Sequence, residues 1–231
     1  MHLTSNRNQV ERVSSFQSLI NTPYRGITNA ICWQRALIGD FSEIVQKVVL
    51  DENMTTLDID QLAALDLSEQ GQLARETLLN DFILLKNHGA SPTLNVIKYY
   101  ERDDAFPFFP TDVYSWHVDR SPIPTDTFLC TYHGASSDIL PNDQGIQKIR
   151  IPEIREELNK LYDGPDAGFE SFLSEYFFDL HYQALPNASP INLGIGNLWK
   201  LSTDHPNNQV PPCLHRAPIE NLGEHRLMII C

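Results

Sequence analysis

A mainly-β fold with a helical flank, an α+β domain, is what the order of patterns along this chain predicts. Three observations carry it. Apolar residues recur at helical spacing within residues 1–92, short β-branched and aromatic runs broken by Pro and Asp turns occupy 93–231, and a helical insertion interrupts them at about 152–185. Many short strands with turn punctuation indicate a barrel or a sandwich. A chain of 231 residues is long enough for one sizeable core, so the expected organisation is a single domain over 1–231.

Residues 1 to about 35 are polar with scattered apolar positions and read as loop with one helix. Asp40-Phe41-Ser42-Glu43 has the capping-box pattern, and Phe41, Ile44, Val45, Val48 and Val49 recur at helical spacing. From Ile59 to Asn87 the period continues through Leu62, Leu65, Leu73, Leu78, Leu79, Phe82, Ile83 and Leu85, with Gly71 a weak interruption and Gly89 suited to a C-cap. Such helices bury one stripe, most economically against the outside of a sheet. Strands are expected at 93–100, 112–119, 127–133 and 147–151, then at 191–196, 198–201, 213–216 and 225–231. Within the insertion, Pro152 suits a first helical turn and Phe169 to Leu180 forms an aromatic amphipathic run.

The formal charge of −13 argues against nucleic-acid or anionic-membrane partners, because phosphates are repelled across most of such a surface. No run of 18 apolar residues spans a bilayer, and Met1 to Asn8 lack the apolar core of a secretory signal, so a cytoplasmic protein is expected. Cys32, Cys130, Cys213 and Cys231 have no short spacing and read as four reduced thiols.

The stretch Ser115-Trp116-His117-Val118-Asp119-Arg120 offers an imidazole and a carboxylate two residues apart. On a strand both share one face and reach one point, while Trp116 and Val118 face the other way. With 8 His and 30 acidic residues in 231, chance alone yields roughly one such pair. The weight therefore rests on two distant residues as well: His215 entering a later strand, and Arg226 opening the last one. Two His and one carboxylate suit a ferrous ion with open positions. An Arg fork suits a carboxylate. If Leu227 and Ile229 face out, Arg226, Met228 and Ile230 face in.

With those residues in place, the chain resembles the Fe(II)/2-oxoglutarate-dependent dioxygenase superfamily. The segments Trp116 to Arg120, Cys130-Thr131-Tyr132-His133-Gly134 and His215-Arg216-Ala217-Pro218 look like a bacterial branch of it. The likeness covers about 93–231. It implies a double-stranded β-helix of jelly-roll, cupin-like type, with His117, Asp119 and His215 as iron ligands and Arg226 as the 2-oxoglutarate anchor. It implies hydroxylation or demethylation of a small-molecule or protein substrate. Many members place a small hydroxyl residue two positions after that Arg; here the residue is Met228.

Other readings stand beside this one. A cupin-type metal barrel without 2-oxoglutarate, or a ligand-binding module without metal, uses the same pattern. Arg226 could pair with Glu220 or Glu224. Tyr132 is a candidate co-substrate contact, although either Cys130 and Tyr132 or Leu129 and Thr131 point inward. His133, His181, His205 and His225 read as surface or turn histidines, Trp199 as core and Lys200 as a possible pocket residue. The insertion, together with Gly134 to Asp138, is a candidate lid.

Overall fold

The structure is a computed structural model and describes residues 9–50 and 52–231, so the reading of the first eight residues lies outside it. Its strands in chain order are β1 (Val10–Val13), β2 (Ala30–Trp33), β3 (Met54–Leu57), β4 (Thr93–Ile97), β5 (Trp116–His117), β6 (Asp126–His133) and β7 (Asp138–Leu140). They continue with β8 (Gly145–Gln147), β9 (His181–Ala184), β10 (Ile191–Asn192), β11 (Leu198–Ser202), β12 (Leu214–Arg216) and β13 (Arg226–Ile230). The α-helices are α1 (Phe16–Asn21), α2 (Phe41–Lys47), α3 (Ile59–Ala64), α4 (Glu69–His88), α5 (Pro152–Leu161) and α6 (Phe169–Glu175).

Two sheets form. The first has the order β1-β2-β11-β6-β13-β4-β3, and the second β10-β7-β12-β5-β9-β8. Every pairing is antiparallel except β1 with β2. From β4 onward the chain mostly alternates sheets: β4, β6, β11 and β13 lie in the first, β5, β7, β10 and β12 in the second. The sheets share one apolar interior, in which Leu129, Trp199 and Met228 of the first meet Ile139 and Cys213 of the second.

Strand alternation divides the first sheet cleanly. Leu129, Met228 and Ile230 face the interior, whereas Phe128, Cys130, Tyr132, Leu227 and Ile229 pack outward against Leu78 and Leu85 of α4 and Ile44 of α2. The helical stripe therefore covers the sheet from outside, as expected. Each fully buried Leu there contributes roughly 1.5–3 kcal/mol of burial. Gly89 ends α4 at φ 98°, a left-handed cap that glycine adopts without a Cβ penalty. Asp40 caps α2 through Ser42 N and Glu43 N, but Glu43 does not close the box. Its carboxylate instead accepts from Ser68 N at 2.8 Å and Ser68 Oγ, tying α2 to the start of α4. Gly71 lies inside α4, where a side chain would strike that same carboxylate.

Within 1–92 the four helices α1 to α4 outweigh the strands, but the segment also contributes β1, β2 and β3, which the sequence pattern did not predict and which extend both edges of the first sheet. The strand expected at 112–119 shortens to β5. Asp112 accepts from Tyr114 N at 3.0 Å and Asp103 N at 3.2 Å, a turn that competes with the ladder. The insertion also does more than pack. Its helices bury Leu158, Phe169 and Leu173 against Phe109, and its last segment becomes β9, paired with β5. Among the described residues no helix is long and apolar enough to cross a membrane.

Candidate metal centre

His117, Asp119 and His215 converge: one ligand atom from each lies within 4.8 Å of the others. His117 and His215 are direct partners across the β5–β12 ladder, so their side chains leave the sheet on one face, with ring centroids 4.5 Å apart. The ladder ends at His117, yet the chain stays extended. Val118 N donates to Leu180 O at 3.1 Å, and Asp119 O accepts from Asp204 N at 2.7 Å. Asp119 thereby keeps the face of His117, while Trp116 and Val118 join an outer cluster with Leu140, Leu180 and Leu214.

Both imidazoles are oriented from behind in the same way. His117 Nδ1 is 2.7 Å from Ser115 O, and His215 Nδ1 is 3.2 Å from Cys213 O. A carbonyl only accepts, so each Nδ1 carries a proton and each Nε2 is the nitrogen turned into the site. Both nitrogens lie near the carboxylate, with His215 Nε2 3.5 Å from Asp119 Oδ2 and His117 Nε2 3.9 Å from Asp119 Oδ1. Thr127 Oγ1 donates to Asp119 Oδ2 at 2.5 Å and fixes the carboxyl plane.

The electrostatics suit a cation. Burial, with the neighbouring His215, pushes His117 down to about 4, so it is neutral and able to ligate at neutral pH. Burial alone would raise Asp119, but His215, the Thr127 hydroxyl and His117 outweigh it and hold the carboxyl below its usual range. Two imidazoles and one carboxylate are the donor set of borderline divalent cations such as Fe(II).

Arg226 lies across the interior on β13, 2 % exposed. Its Nη2 donates to Thr131 Oγ1 at 2.9 Å and Ser137 Oγ at 2.8 Å, its Nη1 to Tyr100 OH at 3.4 Å, and its Nε has no partner. Among the described residues no carboxylate lies within ion-pair distance of it. Glu220 instead accepts from Tyr114 OH and Glu224 lies 3.4 Å from His133 Nε2, so surface pairing of Arg226 is excluded. Burial of the charge pushes its pKa below the ordinary arginine value. Ser137 sits two residues before Ile139, the ladder partner of His215, so Arg226 is held by the segment that leads into the strand beside the histidine row. Gly134 turns the chain there at φ 81°, where a Cβ would come within 2.9 Å of His225 O.

Tyr132 is a correction. Thr131 faces inward, so Tyr132 faces the helices, where its hydroxyl donates to Asp81 Oδ2 at 2.6 Å and its ring stacks on Phe41. Lys200 also points outward, to Thr22 O at 2.8 Å, and Trp199 is core as expected. His181 is not a surface residue: it is the ladder partner of His117 on the other side, 5 % exposed, with ring centroids 5.9 Å apart. The proposed lid is anchored, since Arg120 binds Asp179 at 2.6 Å and Asp204 at 2.8 Å, and Ser136 donates to Asn192. All four cysteines are free, and three are buried.

Comparison with protein-family models, with curated proteins and with solved structures yields no match for this chain.

Proposed function

We propose that this protein is an Fe(II)- and 2-oxoglutarate-dependent oxygenase that hydroxylates or demethylates a small-molecule or protein substrate. The observation that carries this reading is Arg226, a buried guanidinium with only hydroxyl partners, in the same interior as a His-Asp-His cluster. A buried charge costs several kcal/mol unless compensated, and a co-substrate carboxylate would compensate it. The jelly-roll reading is supported by the orders β11-β6-β13-β4 and β10-β7-β12-β5, with sheet alternation between them. The free cysteines fit a reducing, cytoplasmic compartment.

In this mechanism His117, Asp119 and His215 would hold the metal through Nε2, a carboxylate oxygen and Nε2. When bound, Fe(II) would supply the activation of O2, one oxygen atom entering the carboxylate left as the 2-oxo acid loses CO2 and the other entering the substrate C–H bond. Arg226 would neutralise the distal carboxylate, with its Nε–H and one Nη1–H left to donate after Thr131, Ser137 and Tyr100 fix the guanidinium. These three hydroxyls do the work of the small hydroxyl residue that Met228 replaces. Met228 and Leu129 exclude water from the floor between the sheets.

The test is turnover. Chelator-stripped protein reloaded with Fe(II) should decarboxylate 2-oxoglutarate slowly without substrate. His117→Ala should abolish this, and Arg226→Met should raise the KM for 2-oxoglutarate about 100-fold. Activity that survives Arg226→Met unchanged would transfer the protein to metal barrels that do not use this co-substrate.

A further inference from the structure

His181 reaches the centre only because the insertion folds back as β9, which adds its backbone to the free edge of β5. The ladder then runs Ile139, His215, His117, His181 across the second sheet, so His181 leaves it on the metal-facing side. Its Nδ1 is fully buried and has no hydrogen-bond partner. A buried polar atom without a partner is rare in a native fold and marks a place where a bound group can complete the hydrogen bonding.

Lys148 stands beside it. Phe109 is shared by both, with the Lys148 ammonium 4.8 Å above its ring and the His181 ring edge-on at 6.2 Å. Lys148 Nζ donates to Ser115 Oγ at 2.8 Å and Pro110 O at 3.2 Å, which leaves its third hydrogen available. Among the described residues no carboxylate pairs with it. The two carboxylates that bear on this corner are occupied: Asp103 binds Thr111 and Ala105 N, and Asp112 binds Tyr114 N and Arg102. Ser115 also supplies the carbonyl behind His117, so this corner adjoins the metal ligand directly.

We infer that His181 and Lys148 form a second anion-recognition pair, which holds a carboxylate or phosphate group beside His117. Its role as the substrate subsite rests on the oxygenase reading; the anion site itself does not. Arg226 and Lys148 then divide the work, one taking the co-substrate and the other an acidic substrate. In a chain of net charge −13, Arg226 and Lys148 thus stand without an ion-pair partner among the described residues, and they select anions that the surface repels.

The experiment uses full-length, metal-free protein with isotope-labelled histidine, titrated by NMR with butyrate in one arm and methyl phosphate in the other. The His181 ring signals, assigned through His181→Asn, should shift and saturate. The arm that saturates at lower concentration identifies the group. Lys148→Met should weaken that binding at least about tenfold, Lys148→Arg should restore it, and Arg226→Met should leave it intact. The proposal is overturned if neither probe moves His181, if Lys148→Met binds like the parent, or if Arg226→Met removes the shift. A parallel Mn(II) titration separates the two readings. Lost metal binding with an intact His181 response would overturn the oxygenase alone, and the converse the anion site alone.

Discussion

His215 stands directly opposite His117 across the β5–β12 ladder, and both rings are locked by carbonyls two residues upstream. This orientation is complete without a metal. The energy that positions the ligands comes from sheet pairing and from backbone acceptors, so a cation meets a site already built and loses little affinity to ordering. Folding and metal binding should therefore be separable, unlike in small domains that fold only around their ion.

Metal should stabilise an already folded protein. Mn(II) at about a hundred times its Kd adds about 2.7 kcal/mol by mass action, a rise in Tm of about 5 to 10 °C for a domain of this size. Thermal melts with and without a chelator measure it, and Asp119→Ala should melt at one temperature in both. An equal gain in parent and variant would place the ion elsewhere.

Stability without metal should fall with acid in a defined window. Unfolded histidines bind protons near pH 6.5, whereas burial holds His117 at about 4 and His181 at about 3. The unfolded state thus binds more protons below about pH 6.5, and stability, complete above that value, is lost as the pH falls toward about 3. Urea midpoints of chelated protein across this range report the slope. His181→Phe should flatten it; a steeper slope in the variant would reverse the assignment.

Thr127 should govern metal affinity without touching the ion. Its hydroxyl is the group that fixes the Asp119 carboxyl plane, and losing such a support usually costs 10- to 100-fold in affinity. Mn(II) titration followed by electron paramagnetic resonance should give a Kd raised by about that factor for Thr127→Val and restored in Thr127→Ser. An unchanged Kd in Thr127→Val would mean that the carboxylate is held by its backbone alone.

The parts of this site that were legible in the sequence are those whose signal is local. A two-residue period puts His117 and Asp119 on one face, and apolar alternation around Arg226 aims it inward; both result from strand geometry alone. The hydroxyls that hold Arg226 come from three separate segments at Tyr100, Thr131 and Ser137, a set that only the packing of two sheets assembles. His181 was obscured by its approach, because Phe178-Asp179-Leu180 continues the aromatic helical run directly before it. The alternation in His181-Tyr182-Gln183-Ala184, closed by Pro186, was the signal available. Likewise β1 and β3 are short and half-exposed, with Glu11, Arg12 and Thr55 among them, and edge strands of that composition read as loop.

Tyr132 supplies the sharpest contrast with Arg226, since the two lie on neighbouring strands with opposite facing. Its hydroxyl donates to Asp81, which also receives both terminal nitrogens of Arg35, while Arg35 Nε donates to Gly196 O at 2.8 Å. Asp81 is fully buried, so this network is what lets α4 press a charge against the sheet. Asp81→Ala leaves the Arg35 guanidinium without its counter-ion and should cost about 3–5 kcal/mol. Tyr132→Phe removes one charge-assisted bond and should cost about 1.5–3 kcal/mol. Denaturation midpoints measure both losses. The KM for 2-oxoglutarate in Tyr132→Phe should equal that of the parent, because the hydroxyl lies on the far side of the sheet from Arg226. A KM raised tenfold in a variant that folds normally would return Tyr132 to the co-substrate pocket.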